Sequence, residues 1–159
     1  MRKFLKFLPG LLIFFSILFW SNLVLAKQEG DWYIKDFQSE IIVNQDSSLL
    51  ITERITADCP NCFDKHGIFR TLPLVYYPEK NQKVFTPIKL VSLTDFDGKV
   101  LKYQTSKDWK NQTVTYKIGD PEITVAGENF YQITYLVKNA LRFDNPQFDE
   151  FYWNLSGNF

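Results

Sequence analysis

Alternation of apolar and polar residues at every second position most restricts how this chain can fold. In the clearest segment the apolar side chains share one phase, at Leu49, Ile51, Ile55 and Ala57. Residues 113–118 and 131–137 repeat the pattern and are rich in Thr, Val, Ile and Tyr. Successive side chains of a β-strand point to opposite faces, so a period of two is typical of half-buried strands. The pattern therefore predicts an antiparallel β-protein.

Turn-forming residues separate these segments. Asp46-Ser47-Ser48 and Gly119-Asp120-Pro121 divide predicted strands, and Asp97-Gly98 predicts a two-residue hairpin turn between strands at 91–96 and 100–103. Seven or eight short strands spaced in this way favour an antiparallel β-sandwich, immunoglobulin-like or related. The best helix candidate, Asn145 to Tyr152, is only two turns long, with Pro146 in its first turn.

The N-terminus has the composition of an export signal. A basic start, MRKFLK, precedes an apolar run from Leu11 to Trp20, and Val24 and Ala26 are suitable for a signal peptidase. We predict a signal peptide over residues 1–26, cleaved after Ala26. The alternative is an uncleaved anchor over residues 7–26, which approaches the length needed to span a bilayer. In either case residues 27–159 form one exported, extracytoplasmic domain.

Charge argues against a nucleic-acid partner. The chain has 18 basic and 18 acidic side chains, but the predicted signal peptide holds three basic and no acidic ones. The predicted domain is therefore mildly acidic and has no basic stripe. Nucleic acids and anionic membrane surfaces both require clustered Lys and Arg.

Cys59-Pro60-Asn61-Cys62 is the sequence feature closest to a reactive site. Its spacing occurs in thioredoxin-type redox pairs, but no βαβ pattern surrounds it. Two thiolates and the imidazole of His66 could instead bind a metal. In an oxidising compartment we predict a disulfide between Cys59 and Cys62, with no metal.

Other catalytic arrangements are missing from the sequence. His66 is the single histidine, and the chain contains no GxSxG, HExxH or glycine-rich phosphate-binding motif. Asp149 and Glu150 are adjacent, so on a strand their carboxylates point to opposite faces and do not converge. We therefore predict that the chain is not an enzyme and has no catalytic residue or cofactor.

Aromatic residues suggest an alternative function. Five of them could form a sugar-stacking platform, which would make the domain a carbohydrate- or cell-wall-binding module: Trp32, Tyr76, Tyr77, Trp109 and Trp153. Large aromatic side chains usually serve core packing, and we expect that role for most of them.

Two charged residues occupy positions that the alternation assigns to the core. Glu53 shares the phase of Ile51 and Ile55, and Arg70 shares that of Ile68 and Leu72. An unpaired buried charge costs several kcal/mol, so we predict that Glu53 and Arg70 form a structural ion pair. The alternatives are that one or both reach the rim of the domain, or that Arg70 pairs with Asp149 or Glu150.

Two motifs carry a family resemblance. The segment GIFRTLP at 67–73, and the stretch from YQITY at 131–135 to DEFYWNLSG at 149–157, resemble the N-terminal domain of YciQ-like predicted bacterial membrane proteins, a family of unknown function. The resemblance covers residues 32–159 but not the CPNC segment. It implies further strands and transmembrane helices after this chain, so that the domain is truncated at its C-terminus. It also implies a cell-envelope domain for interaction or assembly, with protein partners or its own membrane region.

Overall fold

The computed structural model describes residues 32–79, 82–143 and 146–155. These residues form β-strands joined by turns and loops, and all strand pairs are antiparallel, so the predicted all-β class is confirmed. The signal peptide predicted over residues 1–26 lies outside the described residues. The strands are β1 (Tyr33–Val43), β2 (Leu49–Cys59), β3 (Ile68–Pro73), β4 (Val75–Tyr76), β5 (Val84–Phe85), β6 (Ile88–Thr94), β7 (Tyr103–Asp108), β8 (Thr113–Ile118), β9 (Gly127–Val137), β10 (Leu141–Arg142) and β11 (Glu150–Phe151).

The strands form two larger sheets and two short ribbons. One sheet has four strands in the order β1-β2-β9-β6, and the other has three in the order β3-β8-β7. β4 pairs with β5, and β10 pairs with β11. Among the described residues, no helix is long and apolar enough to cross a membrane.

Strands β2 and β9 form the centre of the four-stranded sheet, in register from Leu49 opposite Val137 to Cys59 opposite Gly127. Their predicted phase is confirmed, because the apolar residues of that phase are buried, as are the matching residues of β8. Buried side chains of both larger sheets belong to one hydrophobic cluster. Full burial of each Leu, Ile or Val contributes about 1.5–3 kcal/mol. From these three strands the cluster takes Leu49, Ile51, Ile55, Ala57, Val114, Tyr116, Ile118, Tyr131, Ile133, Tyr135 and Val137.

The hairpin predicted at Asp97-Gly98 is only partly right. A turn does occur there, and the Asp95 carboxylate accepts hydrogen bonds from the backbone N–H groups of Asp97 and Lys99. After one bridge, between Thr94 and Val100, the chain leaves the four-stranded sheet, and β7 pairs with β8 in the other sheet. The turn residues determine that the chain reverses direction here, but packing against the core determines which strand β7 pairs with.

The best helix candidate of the sequence, Asn145 to Tyr152, forms no helix over residues 146–152, the part of it that the structure describes. Glu150–Phe151 instead forms β11, which pairs with Leu141–Arg142. Two helical turns are too short to form without strong packing, because nucleation costs more than so few hydrogen bonds return. Pairing with β10, together with the hydrogen bond from the Tyr152 N–H to the Ala140 oxygen, provides backbone partners at residues 150–152.

Candidate functional site

A buried ion pair joins the two larger sheets. Glu53 on β2 and Arg70 on β3 each have 0% exposed surface. Arg70 donates from Nε to Oε2 of Glu53 at 2.7 Å and from Nη2 to Oε1 at 2.6 Å. The structure thus brings together the two residues that the strand phase singled out. Glu150, considered as a partner for Arg70, lies instead 3.3 Å from Arg142.

Further groups complete this buried cluster. Tyr135 on β9 donates from its hydroxyl to Oε1 of Glu53 at 2.6 Å, and the indole N–H of Trp153 donates to the Tyr135 oxygen at 3.3 Å. Arg70 Nη2 also donates to the backbone oxygen of Leu155 at 3.2 Å. Burial, and then the charge of Glu53, raise the pKa of Tyr135 far above the usual tyrosine value. The Tyr135 hydroxyl therefore stays protonated as a donor.

The chemistry open to this cluster is limited. Both carboxylate oxygens of Glu53 accept hydrogen bonds from Arg70, and one also accepts from Tyr135. A general acid or base must reach a substrate proton, directly or through one water. Glu53, Arg70 and Tyr135 are fully buried, and Glu53 is hydrogen-bonded to both of the others, so their arrangement suits cohesion between the sheets.

Cys59 and Cys62 lie at disulfide-bonding distance, with their Cα atoms 5.5 Å apart. Both are buried, and Cys59 ends β2 opposite Gly127. His66 is engaged elsewhere, because its Nδ1 lies 3.0 Å from the backbone oxygen of Ile123. In the described part of the chain, no three His, Cys, Asp or Glu side chains are grouped to hold a metal. The three residues of the metal alternative thus form no ligand set there.

Three loops at the disulfide end of the domain are bonded into one surface, which we call the three-loop surface: residues 60–67, 95–102 and 119–126. The N–H of Val125 donates to the backbone oxygen of Lys65, and that of Gly119 to the oxygen of Lys102, each at 2.8 Å. Lys102 also pairs with the Asp120 carboxylate at 2.5 Å. The hydrogen bond from Lys102, and then the one from the backbone N–H of Glu122, lower the pKa of Asp120. The turn residues at 97–98 and 119–121 and the CPNC segment mark parts of these loops in the sequence, but no sequence pattern shows that the loops associate.

Two glycines allow the loops to meet. Gly67 and Gly119 have φ angles of +146° and +140°. A Cβ on Gly67 would lie 1.7 Å from the Ile118 oxygen, and one on Gly119 would lie 1.7 Å from the His66 oxygen. Only glycine permits this approach. The sequence signal for this approach was a glycine immediately before β3 and another immediately after β8.

The five aromatic residues of the predicted platform have different surroundings. Trp32 and Trp153 pack against the hydrophobic core, and buried Tyr76 stacks on Tyr152 with ring centroids 4.7 Å apart. Tyr77 and Trp109 are exposed. Most of the set therefore serves packing, as the sequence analysis expects.

Comparison with known proteins confirms the family resemblance. The model of the N-terminal domain of a predicted membrane protein family (DUF2207) matches residues 33–158. The uncharacterized protein YciQ of Escherichia coli (strain K12) is 29% identical over 156 residues, which cover 93% of this chain and 24% of YciQ. The chain thus spans about a quarter of that relative's length. No solved structure matches significantly. Since the family model covers most of the chain, the protein belongs to the DUF2207 family of predicted membrane proteins, through the N-terminal domain of that family.

Proposed function

We propose that residues 27–159 form a non-enzymatic, extracytoplasmic β-sandwich domain of a cell-envelope membrane protein, used for interaction or assembly. The domain follows a signal peptide at residues 1–26. Its sandwich is immunoglobulin-like or related to that fold.

The buried ion pair supports the sandwich. Glu53 belongs to the four-stranded sheet and Arg70 to the three-stranded sheet, so their hydrogen bonds connect one sheet to the other. Apolar residues of both sheets share one core. Two antiparallel sheets packed through their inner faces are the architecture of a sandwich.

The non-enzymatic part of the proposal rests on the burial of the cluster formed by Glu53, Arg70 and Tyr135. Arg70 and Tyr135 both donate hydrogen bonds to the Glu53 carboxylate, and all three residues have no exposed surface. Catalytic groups with strongly shifted pKa values usually lie in clefts that admit substrate. Here the shifted pKa of Tyr135 comes from the packed interior. Cohesion between the sheets explains the cluster without any reaction.

Three further features support an extracytoplasmic location. The first 26 residues have the organisation of a signal peptide. Cys59 and Cys62 lie at disulfide-bonding distance, and disulfides persist mainly in oxidising compartments. The family is described as a predicted membrane protein.

A reporter fusion tests this location. Alkaline phosphatase needs its own disulfides for activity, so it works after export and fails in the cytoplasm. We expect the full chain fused after Phe159 to give at least about tenfold more phosphatase activity than the same fusion without residues 1–26. Equally low activity from both fusions, with full fluorescence from a cytoplasmic reporter at the same position, would contradict the proposal.

A further inference from the structure

We infer that a groove beside the three-loop surface binds a neutral oligosaccharide. The inference rests on the proposed interaction role and names the chemical class of its partner. The groove encloses about 600 Å³, within the range of small-ligand sites. It extends from the outer face of the three-stranded sheet to loop residues 64–67 and 119–122.

The sheet supplies one wall. Phe69 on β3, Lys117 on β8 and Gln104 on β7 are directly opposed across neighbouring strands. Directly opposed residues place their side chains on the same face of a sheet. An aromatic ring, an ammonium and an amide therefore form one row, and the Lys117 ammonium lies 5.9 Å from the centre of the Phe69 ring.

The loops supply the other wall. His66 is oriented by the contact of its Nδ1 with the Ile123 oxygen, which leaves Nε2 as the second ring nitrogen available to a ligand. The Lys102–Asp120 ion pair lies beside it and joins two of the loops. Because backbone hydrogen bonds and the contact between Gly67 and Gly119 hold the loops together, this wall is preorganised. Preorganisation lowers the entropy cost of binding a ligand.

The lining favours a neutral polyhydroxyl ligand. Phe69 is 54% exposed on the outer face of the three-stranded sheet, so its ring can pack against the C–H face of a sugar ring. Tyr103, 46% exposed, lines the groove from the edge strand β7 and lies opposite buried Ile118, in the phase of the inner face. The Tyr103 ring is held edge-on against Tyr116, with centroids 6.4 Å apart. Charged groups of the lining balance, whereas a charged peptide would be favoured by an excess of the opposite sign. These groups are Asp64, Asp120 and Glu122, and Lys65, Lys102 and Lys117.

Calorimetry on the purified full chain tests the inference. The probes are tetrasaccharides of N-acetylglucosamine, of β-linked glucose and of α-linked glucose. We expect at least one to bind with one-to-one stoichiometry, and Phe69→Ala and Gln104→Ala each to weaken that binding about tenfold or more. Trp109→Ala is the matched control, because Trp109 is 65% exposed and does not line the groove. It should leave the affinity within about twofold of the parent chain.

Other outcomes overturn the inference. One is the absence of binding by all three probes at millimolar concentration, and another is a loss of sugar affinity with Trp109→Ala equal to that with Phe69→Ala. A third is a groove that binds charged peptides but not sugars, with that binding dependent on Phe69 and Gln104. Unchanged thermal unfolding of each variant shows that the fold is intact. Chromatography of the probe after incubation separates this result from the proposed function. Cleaved sugar would overturn the non-enzymatic proposal but leave the binding inference standing. Intact sugar with no binding would overturn the binding inference but leave the non-enzymatic proposal standing.

Discussion

Arg70 donates hydrogen bonds of 2.7 and 2.6 Å to the two carboxylate oxygens of Glu53 in the interior of the domain, where both residues are fully buried. A planar guanidinium fits a carboxylate in this bidentate way, and charge-assisted bonds of this kind are about twice as strong as neutral ones. Even so, removing two charges from water costs several kcal/mol each. The largest effect on stability should therefore appear when one partner is removed and the other charge stays buried without it.

Replacing either partner should be strongly destabilising. We expect Glu53→Ala and Arg70→Ala each to lower the free energy of unfolding by about 3–5 kcal/mol, because each leaves an uncompensated buried charge. The double variant should lose clearly less than the two single losses added together. Urea unfolding of all four proteins measures this coupling. Strictly additive losses would show that the pair contributes no coupling energy.

Arg54→Ala is a matched control for that cycle. Arg54 lies on the same strand as Glu53 but in the opposite phase, where it is half-buried. It donates to Gln132 at 2.8 Å and stacks on Phe96 at 3.9 Å from the ring centre. Its loss should cost about 1 kcal/mol, since partly exposed contacts contribute little.

The Tyr135 hydroxyl should stabilise the fold measurably. Tyr135→Phe keeps the ring in the core but removes one donor to Glu53 and the oxygen that accepts from Trp153. Hydrogen bonds to charged groups contribute about 1.5–3 kcal/mol, so we expect a loss in that range. Tyr131→Phe, on the same strand, is the control and should cost less. Urea unfolding compares the two variants, and equal losses would contradict the assigned role.

The sequence predicted the core of this arrangement because burial follows strand phase. Glu53 and Arg70 are each one polar residue among buried apolar ones, and only mutual pairing makes such positions tolerable. Tyr135 also occupies a core-facing position of its strand, yet nothing in that strand's sequence shows that its hydroxyl reaches Glu53. Trp153 and Leu155 are still harder to predict, because their contacts depend on where the chain runs after β10. Local patterns fix phase and turns, whereas contacts distant in sequence depend on packing.

Buried tyrosines should make the domain sensitive to alkali. Burial raises the pKa of Tyr131 to about 12, and raises that of Tyr135 further. In the unfolded chain both ionise near pH 10. The folded state binds these protons more tightly, so their contribution is fully present below about pH 10 and is lost as pH rises towards 12 and beyond. Stability measured from pH 8 to 12 should fall above pH 10. Phenolate absorbance that appears well before unfolding would contradict this.

Cys59 and Cys62 should be oxidised in the exported protein. Their geometry and compartment both favour a disulfide, which closes a short loop within the three-loop surface. Thiol titration under denaturing conditions without reductant should find no free thiol. Reduction should increase hydrogen exchange in residues 60–67 and leave β8 unchanged. Two titratable thiols, or stoichiometric zinc whose removal by a chelator disrupts the fold, would favour the metal alternative instead.

The contact between Gly67 and Gly119 should tolerate no side chain. A methyl group at either position would lie 1.7 Å from a backbone oxygen, and the positive φ angles add strain for any other residue. Unfavourable φ alone costs about 1–3 kcal/mol, and forcing atoms into packed space costs about 1–3 kcal/mol more.

We therefore expect Gly67→Ala and Gly119→Ala each to lower the free energy of unfolding by about 3 kcal/mol or more. Gly98→Ala separates the two causes, because Gly98 also has a positive φ, of +85°, but a Cβ there would meet nothing within 4 Å. Gly98→Ala should lower the free energy of unfolding only by the cost of the strained φ, about 1–3 kcal/mol. Urea unfolding of the three variants measures the difference. Equal losses at all three positions would mean that the loops separate easily and that their contact contributes little to the fold.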